Sequence, residues 1–158
     1  MTVNSKQLTV NSLAFTLIEL LVVVSIIGIL AALSMVSFST AQKQARDTQR
    51  KSDLKQYQTA LEAFANKQSS GLFPSRTTKV DPSTLCSTLG ISNSCPQDPK
   101  TPTHDYSYIS DGSGSLNTDA TQYILWAYLE GSSNYFTVCS TGKTGTSISA
   151  PSSLPCPI

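Results

Sequence analysis

A single carboxylate, Glu19, stands in an otherwise almost wholly apolar run from Phe15 to Phe38. The run is about 24 residues long, and roughly 20 apolar residues suffice to span a bilayer as a helix. A charge in such a span costs about 2.5–3.5 kcal/mol at the helix centre, so Glu19 needs a partner. A polar stretch, residues 1–14, precedes the run. A cut after Ala14 would free an α-amine on Phe15, one helical turn before Glu19. Such an amine has a pKa of roughly 8 and is mostly cationic at neutral pH. The two groups could meet within one helix, or head to tail between neighbouring helices.

The other reactive groups lie beyond the run. Cys86, Cys95, Cys139 and Cys156 are an even set in a small domain, which suggests disulfides. Four cysteines allow three connectivities. The expected one is Cys86–Cys95 with Cys139–Cys156, because each bond then closes a short loop. The second loop would pin residues 142–154, which are too rich in Ser, Thr, Gly and Pro to pack unaided. Buried free thiols and a zinc site are the alternatives. Zinc lacks a CxxC pair, and the only histidine, His104, stands alone. His104 with Asp105 reads as a solvated loop pair, since no nucleophile or second base is placed with them. No constellation for an enzyme is legible.

The N-terminal stretch Phe15-Thr16-Leu17-Ile18-Glu19-Leu20-Leu21-Val22-Val23, followed by Ile26-Ile27-Gly28-Ile29-Leu30-Ala31-Ala32, resembles the class III leader region of type IV pilins and type II secretion pseudopilins. The resemblance implies several things. A prepilin peptidase would cut between Ala14 and Phe15 and methylate the Phe15 amine. Glu19 would neutralise the amine of an adjacent subunit in a homo-oligomeric filament. An assembly ATPase and a platform membrane protein would extract the subunit from the cell (inner) membrane. The chain would cross that membrane once before assembly, with its C-terminal domain outside the cytoplasm. The filament would serve secretion, adhesion, motility or DNA uptake. Ala14 stands where the family usually has Gly, and Val36 where many members have Pro; Gly28 matches the family's helix-weakening glycine.

Other readings of the run are a secretory signal peptide, with its core at residues 20–33 and a cut after Ser34, and a plain signal anchor. One basic residue in the leader, Lys6, and the position of Glu19 at the start of the core argue against the signal peptide. Lys43, Arg46, Arg50, Lys51 and Lys55 follow the run, and the positive-inside rule would keep that side in the cytoplasm. The cysteines and the motif favour the outside.

These residues need elements to position them. Between Thr40 and Lys67 there is no Gly or Pro, and good helix formers dominate. One helix over 15–68 is expected. Leu54, Tyr57, Leu61, Phe64 and Ala65 share an apolar face, with Asp53, Lys55, Gln56 and Glu62 opposite. A connector follows, with an Asp81-Pro82 helix start and a cap at Gly90. Strands are expected at 106–110, 123–129 and 135–139, with Gly131–Asn134 as the last turn. The fold class is therefore α+β: a long N-terminal membrane-spanning helix packed on a small three-stranded antiparallel sheet. The divisions are a leader (1–14), a membrane or filament-core helix (15–38), its amphipathic continuation (39–68) and a C-terminal connector and sheet domain (69–158).

Composition narrows the function. The net charge is +1 and only 13% of residues are charged, so there is no global electrostatic case for a nucleic-acid partner. The basic cluster 43–55 reads as a solvated helix face with salt bridges to neighbouring subunits; contact with DNA or lipid headgroups is the alternative. Asp111 and Asp119 are candidate calcium ligands, a reading that rests on the resemblance to major pseudopilins. Two carboxylates without an EF-hand pattern fit a hydrophilic hairpin loop equally. Trp126 and Tyr128 form either an exposed aromatic patch or a surface covered by the connector. Against the filament subunit stands a second class of function: a membrane-anchored binding module, or a minor tip pilin, that recognises DNA, a glycan or a surface.

Overall fold

Helix α1 (Leu17–Lys67) opens at a threonine and runs through good helix formers until Gly71, whose positive φ of 64° ends the following turn. The structure is a computed structural model, which describes residues 15–114 and 117–158. Ala14 and the leader lie outside the described residues. The chain divides into two units, Met1–Ser39 and Thr40–Ile158.

In the first unit the helix is apolar on every side. Leu17, Leu21, Ile26, Leu30 and Phe38 are all exposed, and the most apolar window has a mean hydropathy of 2.7. The helix is long and apolar enough to cross a membrane. Two of its hydroxyls are satisfied locally: Ser25 and Ser34 donate to the carbonyls of Val22 and Leu30 at 2.7 and 2.8 Å. An α-helix pairs its backbone groups within itself, and apolar side chains all round then suit it to lipid.

In the second unit, α1 supplies one face to a sheet. Strands β1 (Ser107–Ser110), β2 (Tyr123–Leu129), β3 (Asn134–Cys139) and β4 (Thr144–Ser147) form an antiparallel meander in the order β1-β2-β3-β4. The sheet therefore has four strands, which corrects the three expected. β4 lacks apolar alternation; it forms because Val138 and Phe136 of β3 pair with Thr144 and Thr146. Gly142, with φ of 82°, makes the turn into it. Between α1 and the sheet lie a 3-10 turn (Pro82–Leu85), helix α2 (Cys86–Leu89) and a second 3-10 turn (Ser92–Ser94). Asp81 caps the first turn by accepting from the Ser83 amide at 2.8 Å, and Gly90 closes α2 with φ of 74°.

Period-two alternation sorts β2 onto two faces. Tyr123, Leu125, Ala127 and Leu129 turn inward. The first three join Leu54, Tyr57, Leu61 and Ala65 of α1, Leu85 and Leu89 of the connector, and Val138 in the main core. Val80 bridges to Tyr108, which covers the free edge of β1. On the outer face Ile109, Ile124 and Trp126 form a second cluster, covered by Tyr135, Leu154 and Cys156. Trp126 is only 2% exposed, so it is no open patch. Tyr135 and the C-terminal tail, through Leu154 and Cys156, pack against its cluster.

Candidate functional site

The N-terminus of α1 holds the residue singled out by its charge. Leu17 is the first helical residue, so Thr16 is the N-cap and Glu19 falls in the first turn. The Thr16 amide and hydroxyl both donate to Glu19 Oε2, at 2.9 and 2.8 Å, and the Glu19 amide donates to Thr16 Oγ1 at 3.2 Å. This reciprocal pattern is a capping box, which satisfies amides that have no partner within the helix. The Thr-x-x-Glu spacing was legible in the sequence; reading Glu19 only as a charge missed it. Glu19 thus has a partner inside its own chain. Phe15, directly before the box, is 88% exposed.

A second arrangement lies where sequence reading placed only a solvated basic face. Arg50 is fully buried. Its Nε and Nη2 donate to Asp98 at 2.7 and 3.0 Å, Nη1 donates to Asp47 at 3.0 Å, and Nη2 lies 2.9 Å from Glu130. Arg46 grips Glu130 with two bonds of 2.8 and 2.7 Å, and Lys100 adds a third cation at 2.9 Å. Three carboxylates thus face three cations. These salt bridges lie within the chain, which corrects the expectation of a solvated face for Arg46 and Arg50, while Lys43, Lys51 and Lys55 are exposed.

The electrostatics follow from this packing. Burial weakens the Arg50 cation, but the bond to Asp98, backed by Glu130 and Asp47, outweighs it and holds the charge more firmly than in a free guanidinium. The hydrogen bond from Arg46 holds the Glu130 carboxyl well below the usual carboxylate range; burial opposes this, and Lys100 and Arg50 reinforce it. Asp53 was expected on the solvent face and is instead buried, accepting from the Tyr106 hydroxyl at 2.6 Å. Burial pushes its carboxyl up, and the Tyr106 bond offsets only part of that.

The network positions the β2–β3 turn. The amides of Glu130 and Gly131 donate to the two Asp47 oxygens at 2.9 and 2.8 Å. A Cβ on Gly131 would meet Asp47 Oδ2 at 3.0 Å, so glycine permits this approach.

The remaining candidates are placed as follows. Disulfides join Cys86 to Cys95 and Cys139 to Cys156, with Cα separations of 5.8 and 6.0 Å. The Tyr57 hydroxyl donates to the Pro96 carbonyl at 2.6 Å, which fixes the first loop to α1. Asp111 accepts from the Thr121 and Gln122 amides at 2.7 and 2.9 Å, and Asp119 from the Ser113 amide at 3.0 Å. Both carboxylates thus tie the β1–β2 loop, and the described residues hold no group of three or more potential metal ligands there. Calcium usually takes six to eight oxygens, so these residues do not make a calcium site by themselves. His104 stacks on Tyr128, ring centroids 5.0 Å apart, while Asp105 is exposed.

The fold and its N-terminus together define a class: a capped, membrane-length apolar helix with one carboxylate, joined in sequence to a disulfide-linked α+β domain. Comparison with known proteins finds likenesses at the N-terminus. Residues 11–35 match the family model described as the prokaryotic N-terminal methylation motif. The chain is also 46% identical over 50 residues to the type IV major pilin protein PilA of Myxococcus xanthus (strain DK1622). That match covers 32% of this chain and 23% of the relative, so it spans about a quarter of the relative's length. Along this N-terminal segment the chain is therefore similar to type IV pilins. No solved structure matches it.

Proposed function

We propose that the protein is a structural, non-enzymatic subunit of a type IV filament. The observation that carries the reading is the lone Glu19 within a methylation-motif helix that is otherwise apolar on every side. In this reading a prepilin peptidase cuts between Ala14 and Phe15 and methylates the new amine. The subunit waits in the inner membrane with residues 15–38 in lipid and the cysteine-bearing domain outside the cytoplasm. An assembly ATPase and a platform membrane protein then draw it into the filament.

The energetics favour specificity over bulk affinity. Exchanging lipid for neighbouring helices yields little hydrophobic gain, because lipid tails are as apolar as leucine. An ionised carboxylate left without a cation in an apolar surrounding is costly. Pairing Glu19 with the Phe15 amine of the next subunit therefore sets the axial register. The filaments of this family serve secretion, adhesion, motility or DNA uptake, and the proposal covers the shared assembly step.

Mass spectrometry of filaments sheared from cells tests it. The expected result is abundant protein whose chain starts at a methylated Phe15. A chain that starts at Met1, or near Met35, would overturn the reading.

A further inference from the structure

The outer face of the sheet carries a cavity of about 250 Å³ that the filament role does not use. Its floor comes from the strands. Ser107 of β1 pairs with Trp126 of β2, and Tyr128 of β2 pairs with Tyr135 of β3, so all four side chains share one face. The walls are the connector, through Lys79 and Asp105, and the C-terminal tail at Ala150.

The aromatic groups are held in place. Tyr128 is stacked against His104 at 5.0 Å with 30° between the planes, and Tyr135 meets it edge-on at 5.5 Å. The rings are thus set before any ligand arrives, which lowers the ordering cost of binding. Residues able to hydrogen-bond line the cavity beside the aromatic rings: Thr103, Asp105 and Lys79, with Ser107 in the floor. Asp105 is steadied by the Thr101 hydroxyl at 3.2 Å.

Chemistry and size narrow the occupant. One carboxylate and one ammonium balance, so the lining favours a neutral ligand over a phosphate, for which a bidentate arginine would be the expected partner. One histidine and one carboxylate make no metal site, and the described residues hold no larger metal-ligating group. Sites for drug-sized ligands run to about 300–1,000 Å³, so this one suits a single ring. A ligand with an apolar face for the aromatic floor and hydroxyls round its edge meets every requirement. We propose that this cavity binds one neutral pyranose ring, the terminal sugar of a glycan or a free hexose.

The test uses the full-length protein in a detergent without a sugar headgroup, such as an amine oxide. Glucose, galactose, mannose and N-acetylglucosamine are titrated, with inorganic phosphate as the charged comparison. Saturation-transfer NMR and the fluorescence of Trp126, the only tryptophan, read binding. At least one sugar should saturate on the order of 1 mM, as expected for so few ligand atoms. Asp105→Asn, at an exposed position, should weaken it about tenfold, as expected for a lost charge-assisted hydrogen bond. Tyr128→Ala should abolish it, and Lys55→Ala, on the exposed side of α1, should leave it unchanged. The proposal is overturned if no sugar saturates, if only phosphate binds, or if Asp105→Asn, folded by circular dichroism, binds as the parent does.

Discussion

Arg50 and Asp98 meet through two parallel bonds, 2.7 and 3.0 Å, with the arginine side chain wholly buried. The pair ties α1 to the connector, because the two residues lie far apart in sequence and in different elements. Arg50→Leu would leave Asp98, Asp47 and Glu130 facing one another without their central cation. Removing one partner of a buried pair costs about 3–5 kcal/mol. Arg50→Lys keeps the charge but loses the fork, so it should cost less. Urea unfolding of the full chain in detergent, followed through Trp126 fluorescence, measures both. A loss below about 1 kcal/mol for Arg50→Leu, the level of a surface pair, would mean that the network does not hold the domain together.

The same network sets an acid limit on stability. Glu130 has its folded pKa depressed, chiefly by Arg46 and then by Lys100 and Arg50 against the opposing effect of burial. Its stabilisation is complete above the unfolded value, roughly 4.3, and is lost as pH falls toward the folded one. Asp53 acts in the opposite sense, since burial raises its folded pKa and so favours the folded state as pH falls. The Glu130 shift is the larger, so stability should decline below about pH 4.5 in the wild type. Glu130→Gln should lower stability at pH 7 and flatten that decline. Unfolding measured from pH 3 to pH 7 decides; an unchanged slope in Glu130→Gln would assign the acid limit to other groups.

What was legible in the sequence followed local pattern. Strand β2 was readable from its aliphatic and aromatic run, and the Leu54–Tyr57–Leu61 stripe from its spacing. The ion network was not, although Asp47 and Arg50 continue that stripe at the same three- and four-residue steps. A charged residue at a stripe position reads as solvent-facing unless its partner is known, and Asp98 and Glu130 arrive from distant loops. Strand β4 was hidden for a different reason. Its residues, Thr-Gly-Thr-Ser, carry no hydrophobic alternation, and its pairing depends on the edge that β3 presents. Gly145 also brings the chain end close, since a Cβ there would meet Ile158 at 3.2 Å.

The Cys139–Cys156 bond should act as the clasp of the outer cluster. It fixes the tail whose Leu154 and Cys156 cover Trp126. A bond closing a loop of this length contributes about 3 kcal/mol through loop-closure entropy. Cys139→Ser with Cys156→Ser should therefore lower stability by about that amount. It should also shift Trp126 emission to the red and make it quenchable by acrylamide. Cys86→Ser with Cys95→Ser should cost stability without the emission change. Trp126 still shielded in the first variant would mean that packing alone holds the tail.

Thr16 and Glu19 allow the two roles of the carboxylate to be separated. The capping box stabilises the first turn of α1, and losing a cap residue costs about 1 kcal/mol. Thr16→Val removes the hydroxyl and keeps the charge. It should fray the helix start while filaments still form, because Glu19 remains available to the amine of the next subunit. Glu19→Ala removes both roles. Membrane insertion should be unimpaired, since a charge in an apolar span is what insertion resists. Assembly should fail, because the neighbouring amine then has no carboxylate to meet. Membrane fractionation and the yield of sheared filaments measure the two steps separately. Wild-type filament yield from Glu19→Ala would end the register role proposed for Glu19. Equal failure of both variants would instead place the importance of this site in the cap itself.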